Sequence, residues 1–209
     1  SHMGIAVGVI NLMGRVHMSQ GEGAEAAAAF DAVLAEYNKQ KAAAAEALKQ
    51  PQRFANDPWE KARLEDLVKL PHPDHVAGSA FYGACLNYEA GKFGDALAKL
   101  DGFAKHYTAS PLRDDATLRM GFCQAQLKQF DVAVKTLQPL TAHPRLSDQA
   151  LFWTGKSQAG LAAAADPNNP TQRAQLFSAA VNTLRSAADK ANGGDADAKA
   201  RRPGYLLEL

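Results

Sequence analysis

A pattern of small residues that recurs along the chain is the feature that most constrains its fold. Gly14, Ala84 and Gly121 each precede an alanine by the same interval, and Gly155 opens a fourth block whose alanine comes late. The alanines are Ala26, Ala96, Ala133 and Ala180. Successive blocks from Ala84 onward begin at a nearly constant spacing, which falls within the range of about 20–50 residues typical of stacked repeats.

The same pattern predicts that each block is a pair of helices. Apolar residues follow each alanine at four and seven positions, a spacing that places them on one face of a helix. A small residue in the first helix would let the second helix cross it closely. The composition agrees, because 42 of the 209 residues are alanine, the strongest helix former, and only 8% are aromatic. We therefore predict an all-α protein.

The order of small and bulky positions resembles the tetratricopeptide repeat (TPR), a helix-turn-helix unit of about 34 residues. The resemblance is good over residues 75–160 and fair over residues 5–37. The run from Tyr107 to Ala116, followed by Gly121, is similar to repeats of bacterial cell-envelope proteins of the outer-membrane assembly and Tol-Pal-associated type. The resemblance implies a right-handed solenoid of antiparallel helix pairs, with about four to five repeats, some of them degenerate. It also favours a periplasmic or cell-envelope location.

We expect a single solenoid domain over residues 4–209, after a cloning remnant at residues 1–3. Both ends of this domain are apolar, whereas solenoids normally end in a polar-faced helix, so we interpret the chain as a fragment of a longer repeat protein. An insertion at residues 162–172 is rich in turn residues and is predicted to be a loop. The expected repeats span residues 4–37, 38–74 (degenerate), 75–111, 112–147 and 148–192, and residues 195–209 begin an incomplete one.

The segment over residues 38–74 allows two interpretations. Ala62 precedes Ala96 by one repeat length, which favours a repeat whose first helix is degraded. In the alternative, the second helix of the first repeat extends to Gln50, and a separate helix then ends at Leu70. Pro51 must end or kink a helix in either case.

Composition excludes several classes of function. The formal net charge is +1, without long runs of like charge, so the electrostatic footprint of a nucleic-acid-binding protein is missing. The apolar run over residues 4–13 is too short to span a bilayer, and we expect no membrane insertion. Cys85 and Cys123 match no zinc or redox motif and are predicted to be buried free thiols.

No group of residues predicts an enzyme, and we expect no catalytic residue, cofactor or metal. Gly155, Lys156 and Ser157 fit a relaxed phosphate-loop pattern, but bulky residues precede them and the segment falls on a predicted helix. His72 and His75 are interpreted as part of a solvated turn rather than a metal site. The acidic pair Asp114–Asp115 is expected to cap the start of a helix.

The family resemblance implies that the first helix of each pair lines a concave groove. The positions carried over are Asn11, Arg15 and Met18 in the first unit, Phe81, Cys85 and Tyr88 in the second, Leu118 and Phe122 in the third, and Phe152 and Lys156 in the fourth. Lys and Asn clamps that hold a terminal carboxylate in some family members do not occur at these positions. We therefore expect an apolar, aromatic groove that binds a protein or peptide.

Three functions follow in order of preference. The first is a non-enzymatic scaffold that binds a peptide or partner helix in the groove. The second is a structural spacer that self-associates through its open ends and has no groove ligand. The third, a remote alternative, is a nucleotide- or metal-binding protein.

Overall fold

The computed structural model describes residues 2–209, with side chains from residue 6 onward, so Ser1 of the predicted cloning remnant lies outside it. Of the residues, 80% are helical and residues 2–209 contain no strand, which confirms the predicted all-α class. The helices are α1 (His2–Ser19), α2 (Gly23–Leu48), α3 (Pro58–Lys69), α4 (Asp74–Glu89), α5 (Phe93–His106), α6 (Arg113–Gln126), α7 (Phe130–Leu137), α8 (Ser147–Ala164), α9 (Pro170–Gly193) and α10 (Ala196–Leu206), with 3₁₀ turns at Pro51–Phe54 and Gln138–Leu140.

Helices pack in the order in which they follow along the chain. Helix α1 lies against α2, α4 against α5, α6 against α7, and α8 against α9. Contacts between α2 and α4, α5 and α6, α7 and α8, and α9 and α10 join successive pairs. The first helices of neighbouring pairs also touch, α1 with α4 and α6 with α8, while α3 packs mainly on α2. Local contacts therefore dominate the fold.

Small residues in the first helices allow the second helices to pack closely. A methyl group added to Gly14 would lie 2.8 Å from Cε1 of Phe30, and one added to Gly121 would collide with Leu137. The interval from the glycine to its partner is the same in both pairs. Ala84 keeps this interval to Leu100, and both residues are fully buried in one cluster. The recurrent small residue thus marks the helix crossing, as its spacing predicted.

The fourth pair keeps the crossing but delays it. Gly155 packs against Leu184, whose Cγ would lie 2.7 Å from an added methyl group. Leu184 lies further along the chain from its glycine than the corresponding residue does in the other pairs. Ala180 is displaced by the same number of residues. The predicted long loop over 162–172 is wrong in extent: α8 continues to Ala164 and α9 begins at Pro170. The alanines at 162–165 have high helix propensity, so most of the insertion lengthens the two helices.

Three turns between paired helices have the same geometry. Gly21, Gly91 and Lys128 adopt left-handed backbone conformations, with φ of 76°, 71° and 61°. Each lies five residues before the buried alanine of the second helix. The residue after each donates its backbone N–H to a carbonyl of the first helix, which satisfies a helix end as in a Schellman motif. These bonds are Glu22 N to His17 O at 2.9 Å, Lys92 N to Asn87 O at 2.9 Å and Gln129 N to Gln124 O at 2.8 Å.

The structure corrects the boundary predicted within residues 38–74. Helix α2 continues without a break to Leu48, and α3 is a separate helix, so the alternative interpretation is correct and the degenerate repeat is wrong. The Ala-rich sequence at 42–47 carries the helix past the point where a repeat would turn. Ala44 and Ala47 then pack with Phe54 and with Leu64 of α3 in a local cluster.

The acidic pair Asp114–Asp115 lies in the first turn of α6, as predicted, where carboxylates suit the helix dipole, but the predicted capping is wrong. Leu112 is the N-terminal cap of α6, and no side chain caps the helix there. Asp115 instead accepts two hydrogen bonds from Arg145, at 3.1 and 2.6 Å, and Asp114 lies 3.3 Å from Nε2 of His143. These pairs hold the segment before α8 against α6. They form because residues 143–146 lie beside the start of α6, which the sequence spacing did not reveal.

Helix α10 is held to α8 by a buried carboxylate. Asp148 is only 3% exposed and accepts hydrogen bonds from Arg201 Nε at 2.9 Å and from the Tyr205 hydroxyl at 3.1 Å. Burial and the neighbouring carboxylate raise the pKa of Tyr205 well above its usual value, so the phenol stays protonated and donates. Among the described helices, none has the length and apolar character needed to cross a membrane.

Candidate protein-binding surface

The predicted groove positions divide into three groups, which lie three residues before, one residue after and four residues after the small residue of each first helix. The first group lies three residues before the small residue of each first helix and consists of Asn11, Phe81, Leu118 and Phe152. Phe81 and Leu118 are buried, and both Asn11 and Phe152 are half-buried. Each of the four contacts or shares a cluster with the next first helix along the chain, so this group forms interfaces between successive helix pairs.

The contacts of this group are specific to each interface. Asn11 Nδ2 donates to the Ser79 hydroxyl at 2.8 Å, which joins α1 to α4. The guanidinium of Arg119 on α6 lies over the Phe81 ring, 5.5 Å from its centroid. The Phe152 ring stacks on Tyr205 of α10 with centroids 4.5 Å apart. Leu118 shares its core cluster with Ala150 of α8.

Phe81, Cys85 and Leu118 must therefore be removed from the predicted groove. Their exposed fractions are 4%, 6% and 7%, so none is available to a ligand. The three side chains pack where successive helices meet, and this contact excludes solvent. Cys85 and Cys123 are free and buried, as predicted, and burial raises the pKa of each thiol to about 11. Both thiols are therefore protonated at neutral pH and poor nucleophiles.

Four half-buried rings form a continuous surface, which we call the aromatic ladder: Tyr88 on α4, Phe93 on α5, Phe122 on α6 and Trp153 on α8. The Phe122 ring is central, with its centroid 4.6 Å from that of Tyr88 and 4.2 Å from that of Trp153. The Phe93 centroid lies 5.7 Å from that of Phe122. Edge-to-face and tilted contacts at these distances stabilise the rings in fixed orientations. The four rings therefore form one contiguous aromatic cluster that links α4, α5, α6 and α8.

A cation lies beside the ladder. The guanidinium of Arg119 is 5.4 Å from the Tyr88 centroid, a cation–π contact. Its Nε atom is buried and has no hydrogen-bond partner within the described residues. Burial raises the pKa of Tyr88 further above its ordinary value, so its hydroxyl is protonated at neutral pH and above it. The surface thus combines apolar rings with a hydroxyl donor and a positive charge.

The remaining predicted residues lie apart from the ladder or are engaged elsewhere. Arg15 and Met18 are exposed on α1. Lys156 Nζ lies 2.6 Å from Glu208 Oε2 beyond α10, so this cation is paired within the chain. Of the predicted groove, the structure brings together Tyr88 and Phe122, and links Phe152 to them through Trp153, 5.1 Å away.

Sequence reasoning missed two members of the ladder. Trp153 directly follows Phe152. The groove positions implied by the family resemblance included Phe152 but not Trp153. Phe93 starts a second helix, and the groove was sought only on first helices. The signal that could have found Phe93 is its position three residues before the buried Ala96.

The phosphate-loop pattern lies inside a helix, as expected from the sequence. Residues 154–157 fall in the middle of α8, and the Ser157 hydroxyl donates to the Trp153 carbonyl at 2.8 Å. Backbone N–H groups in a helix interior are bonded to carbonyls and cannot cradle a phosphate. Within the described residues, no group of three or more His, Cys, Asp or Glu is placed to hold a metal ion.

The chain matches no family model, no curated protein and no solved structure with which it was compared.

Proposed function

We propose that this chain is a non-enzymatic, TPR-like helical-repeat scaffold that binds a peptide or helix of a partner protein on the aromatic ladder. The observation that carries the proposal is the ladder itself. Its four rings come from three successive helix pairs and remain half-buried after the chain has folded. Aromatic side chains dominate the binding energy of protein interfaces, and rigid rings lose little entropy on binding.

The repeat interpretation is supported by three coincident spacings. The small residue, its partner at a constant interval and the left-handed turn residue recur in register in successive pairs. A stack of this kind displays equivalent positions of neighbouring units side by side, so an extended ligand can contact several units together. The ladder spans α4 to α8, which suits a segment of several residues rather than a small molecule.

The chemistry of the ladder indicates what the partner carries. The rings favour aliphatic or aromatic anchor side chains, and Arg119 favours a carboxylate near one end. We expect the charge to affect the rate of association and the dependence on salt more than the affinity.

The test begins with peptides selected from a display library against the folded protein. We expect Phe122→Ala and Trp153→Ala to weaken binding of a selected peptide at least about tenfold, because removal of a central aromatic anchor costs about 2 kcal/mol or more. Calorimetric titration measures the affinity, and thermal melting checks that each variant is folded.

Trp59→Ala is the matched control. Trp59 lies on α3, is 85% exposed and has no ring contact within the described residues. Its removal deletes the same side chain from a site outside the ladder and should leave the affinity unchanged. Equal binding by folded Phe122→Ala, Trp153→Ala and parent proteins would refute the ladder as the binding site.

A second function, self-association, is favoured by the outer face of α1. Val9, Leu12, Met13 and Val16 are 45–59% exposed and follow the spacing of a single helix face. An exposed apolar stripe of this kind usually marks an interaction surface. Light scattering tests it: a mass that rises with concentration supports self-association, and a constant monomer mass contradicts it.

A further inference from the structure

A second concave site lies away from the aromatic ladder, where the linker between α3 and α4 meets the end of α5. The cleft has a volume of about 430 Å³, a size typical of small-molecule sites. Its walls come from α2, the end of α3, the linker, the start of α4 and the turn after α5. From the sequence alone, His72 and His75, in this linker and at the start of α4, are interpreted as part of a solvated turn.

Basic side chains converge on this cleft from four separate segments. Lys41 comes from α2, Lys69 from α3, His72 from the linker and His106 from α5. Lys41 makes no ion pair within the described residues, while Lys69 has one weak surface contact, 3.3 Å from Glu65. Asp74 is the one carboxylate among the lining side chains. At neutral pH the two lysines outnumber the one carboxylate, so the lining has a small excess of positive charge, which increases when His72 is protonated.

The polar backbone of the cleft also favours an anion. Helix α4 begins at Asp74, inside the cleft, and no side chain caps its first turn. The positive end of the helix dipole lies at this cleft, and the Asp74 carboxylate in the first turn offsets part of it. Thr108 and Ser110 also line the cleft, and the Ser110 hydroxyl accepts a hydrogen bond from Leu112 N at 3.2 Å.

The His72 ring is held in a fixed position between two tyrosines. Its centroid lies 5.4 Å from that of Tyr37 and 4.8 Å from that of Tyr107. Burial, Lys41 and His106 lower the pKa of His72, in that order. His72 is thus neutral at pH 7. It gains a positive charge only when the pH falls below the ordinary pKa of histidine.

The rest of the lining is apolar. Leu70, Pro71, Ala77 and Tyr107 contribute carbon surface beside the basic groups. A cleft of this volume is several times larger than a single phosphate. The combination of basic and apolar lining residues suits a ligand with an anionic group and an apolar body.

We propose that this cleft binds a small amphiphilic oxyanion, whose phosphate or carboxylate group lies among Lys41, Lys69, His72 and His106 and whose apolar body lies against Leu70 and Tyr107. The site is independent of the aromatic ladder. Binding of a carboxylate ligand, whose charge stays constant, strengthens as the pH falls below 7, because His72 then gains a positive charge. Lys41, Lys69, His106, Asp74, Tyr37 and Tyr107 are the charged and titratable groups around it.

Calorimetric titration of the whole chain tests this proposal with phenyl phosphate, phenylacetate and inorganic phosphate at constant ionic strength. We expect at least one of the two aromatic anions to bind more tightly than inorganic phosphate. The comparison of phenyl phosphate with phenylacetate distinguishes a phosphate from a carboxylate site. Lys41→Gln should weaken binding about tenfold, the effect of losing a charge-assisted hydrogen bond.

Lys39→Gln is the matched control, because it removes the same charge from α2 at a residue that does not line the cleft. It should leave the affinity unchanged. His72→Gln should reduce the gain in phenylacetate affinity at lower pH, provided that thermal melting shows the variant to be folded. The proposal is overturned if none of the three anions binds at about 10 mM, or if Lys41→Gln and Lys39→Gln weaken binding equally.

Discussion

Single residues determine how closely the paired helices approach. Gly121 is buried in α6, and an added methyl group would overlap the Leu137 side chain on α7. Gly14 and Gly155 have the same relation to Phe30 and Leu184. A larger side chain at any of these positions must displace the second helix, because core packing has no space to absorb it.

Gly121→Ala is the smallest change that tests this packing. We expect it to destabilise the fold by about 1–3 kcal/mol, the usual cost of overpacking, although alanine is the better helix former. Denaturant unfolding followed by circular dichroism measures the change.

The control for this variant is Gly102→Ala in α5. An added methyl group there meets no atom within 4 Å. The higher helix propensity of alanine should leave the stability of this variant equal to that of the parent or up to about 1 kcal/mol higher. If both variants unfold at the same denaturant concentration, the helix crossing does not lie at Gly121.

At this scale the sequence predicted the core well and the surface poorly. Ala26, Ala96 and Ala133 are fully buried, as their spacing indicated. The accessible groove residues were harder to predict, because the positions three residues before and one residue after the small residue lie on the same helix face. Phe81 and Phe122 occupy two such positions, and only the adjacent helices decide that Phe81 is covered and that Phe122 remains accessible.

The turns between helices show a repeated element with one exception. Gly21 and Gly91 take the left-handed conformation without strain, whereas Lys128 adopts the same conformation with a side chain. For an L residue with a side chain this conformation costs about 1–2 kcal/mol. The third turn is therefore strained in comparison with the other two.

Lys128→Gly should stabilise the chain. The free energy gained by relieving the backbone strain exceeds the entropic cost of a more flexible unfolded chain. We therefore expect a net increase in stability of about 0.5–1 kcal/mol. Thermal unfolding would show a rise of about 2–4 °C in Tm per kcal/mol for a chain of this size.

Gly91→Ala is the reciprocal variant and should lower the Tm, since it introduces a side chain at the same turn position. A lower Tm for Lys128→Gly, with no change for Gly91→Ala, would mean that the turns do not control these helix ends.

The lengths of the elements were less predictable than their existence. Propensity located a helix at Ala42–Leu48 but could not show whether α2 turned before it, because alanine is compatible with a continuous helix and with a short separate one. The insertion had the same ambiguity. The proline and asparagine residues of the insertion predicted a loop. Asn169 does end the loop, because its side chain caps α9 by accepting a hydrogen bond from Gln172 N at 3.1 Å. The alanines before these residues extend α8 instead.

At the scale of the whole molecule, each helix contacts mainly its neighbours in sequence, and this arrangement places rings from distant segments side by side. Tyr88 and Trp153 lie on α4 and α8, in helix pairs that are separated by a third, yet Phe122 contacts both rings. No single helix contains such a surface, so it arises only from the stacking of successive pairs. We propose that a partner protein binds on this surface.

Fluorescence of the two tryptophans tests this claim most directly, since Trp153 belongs to the ladder and Trp59 does not. In the Trp59→Phe protein, addition of a selected peptide should shift the emission of Trp153 to shorter wavelength, because binding removes water from the ring. In the Trp153→Phe protein, the emission of Trp59 should not change. A peptide that binds by calorimetry but leaves Trp153 emission unchanged, or shifts only that of Trp59, would contradict the account.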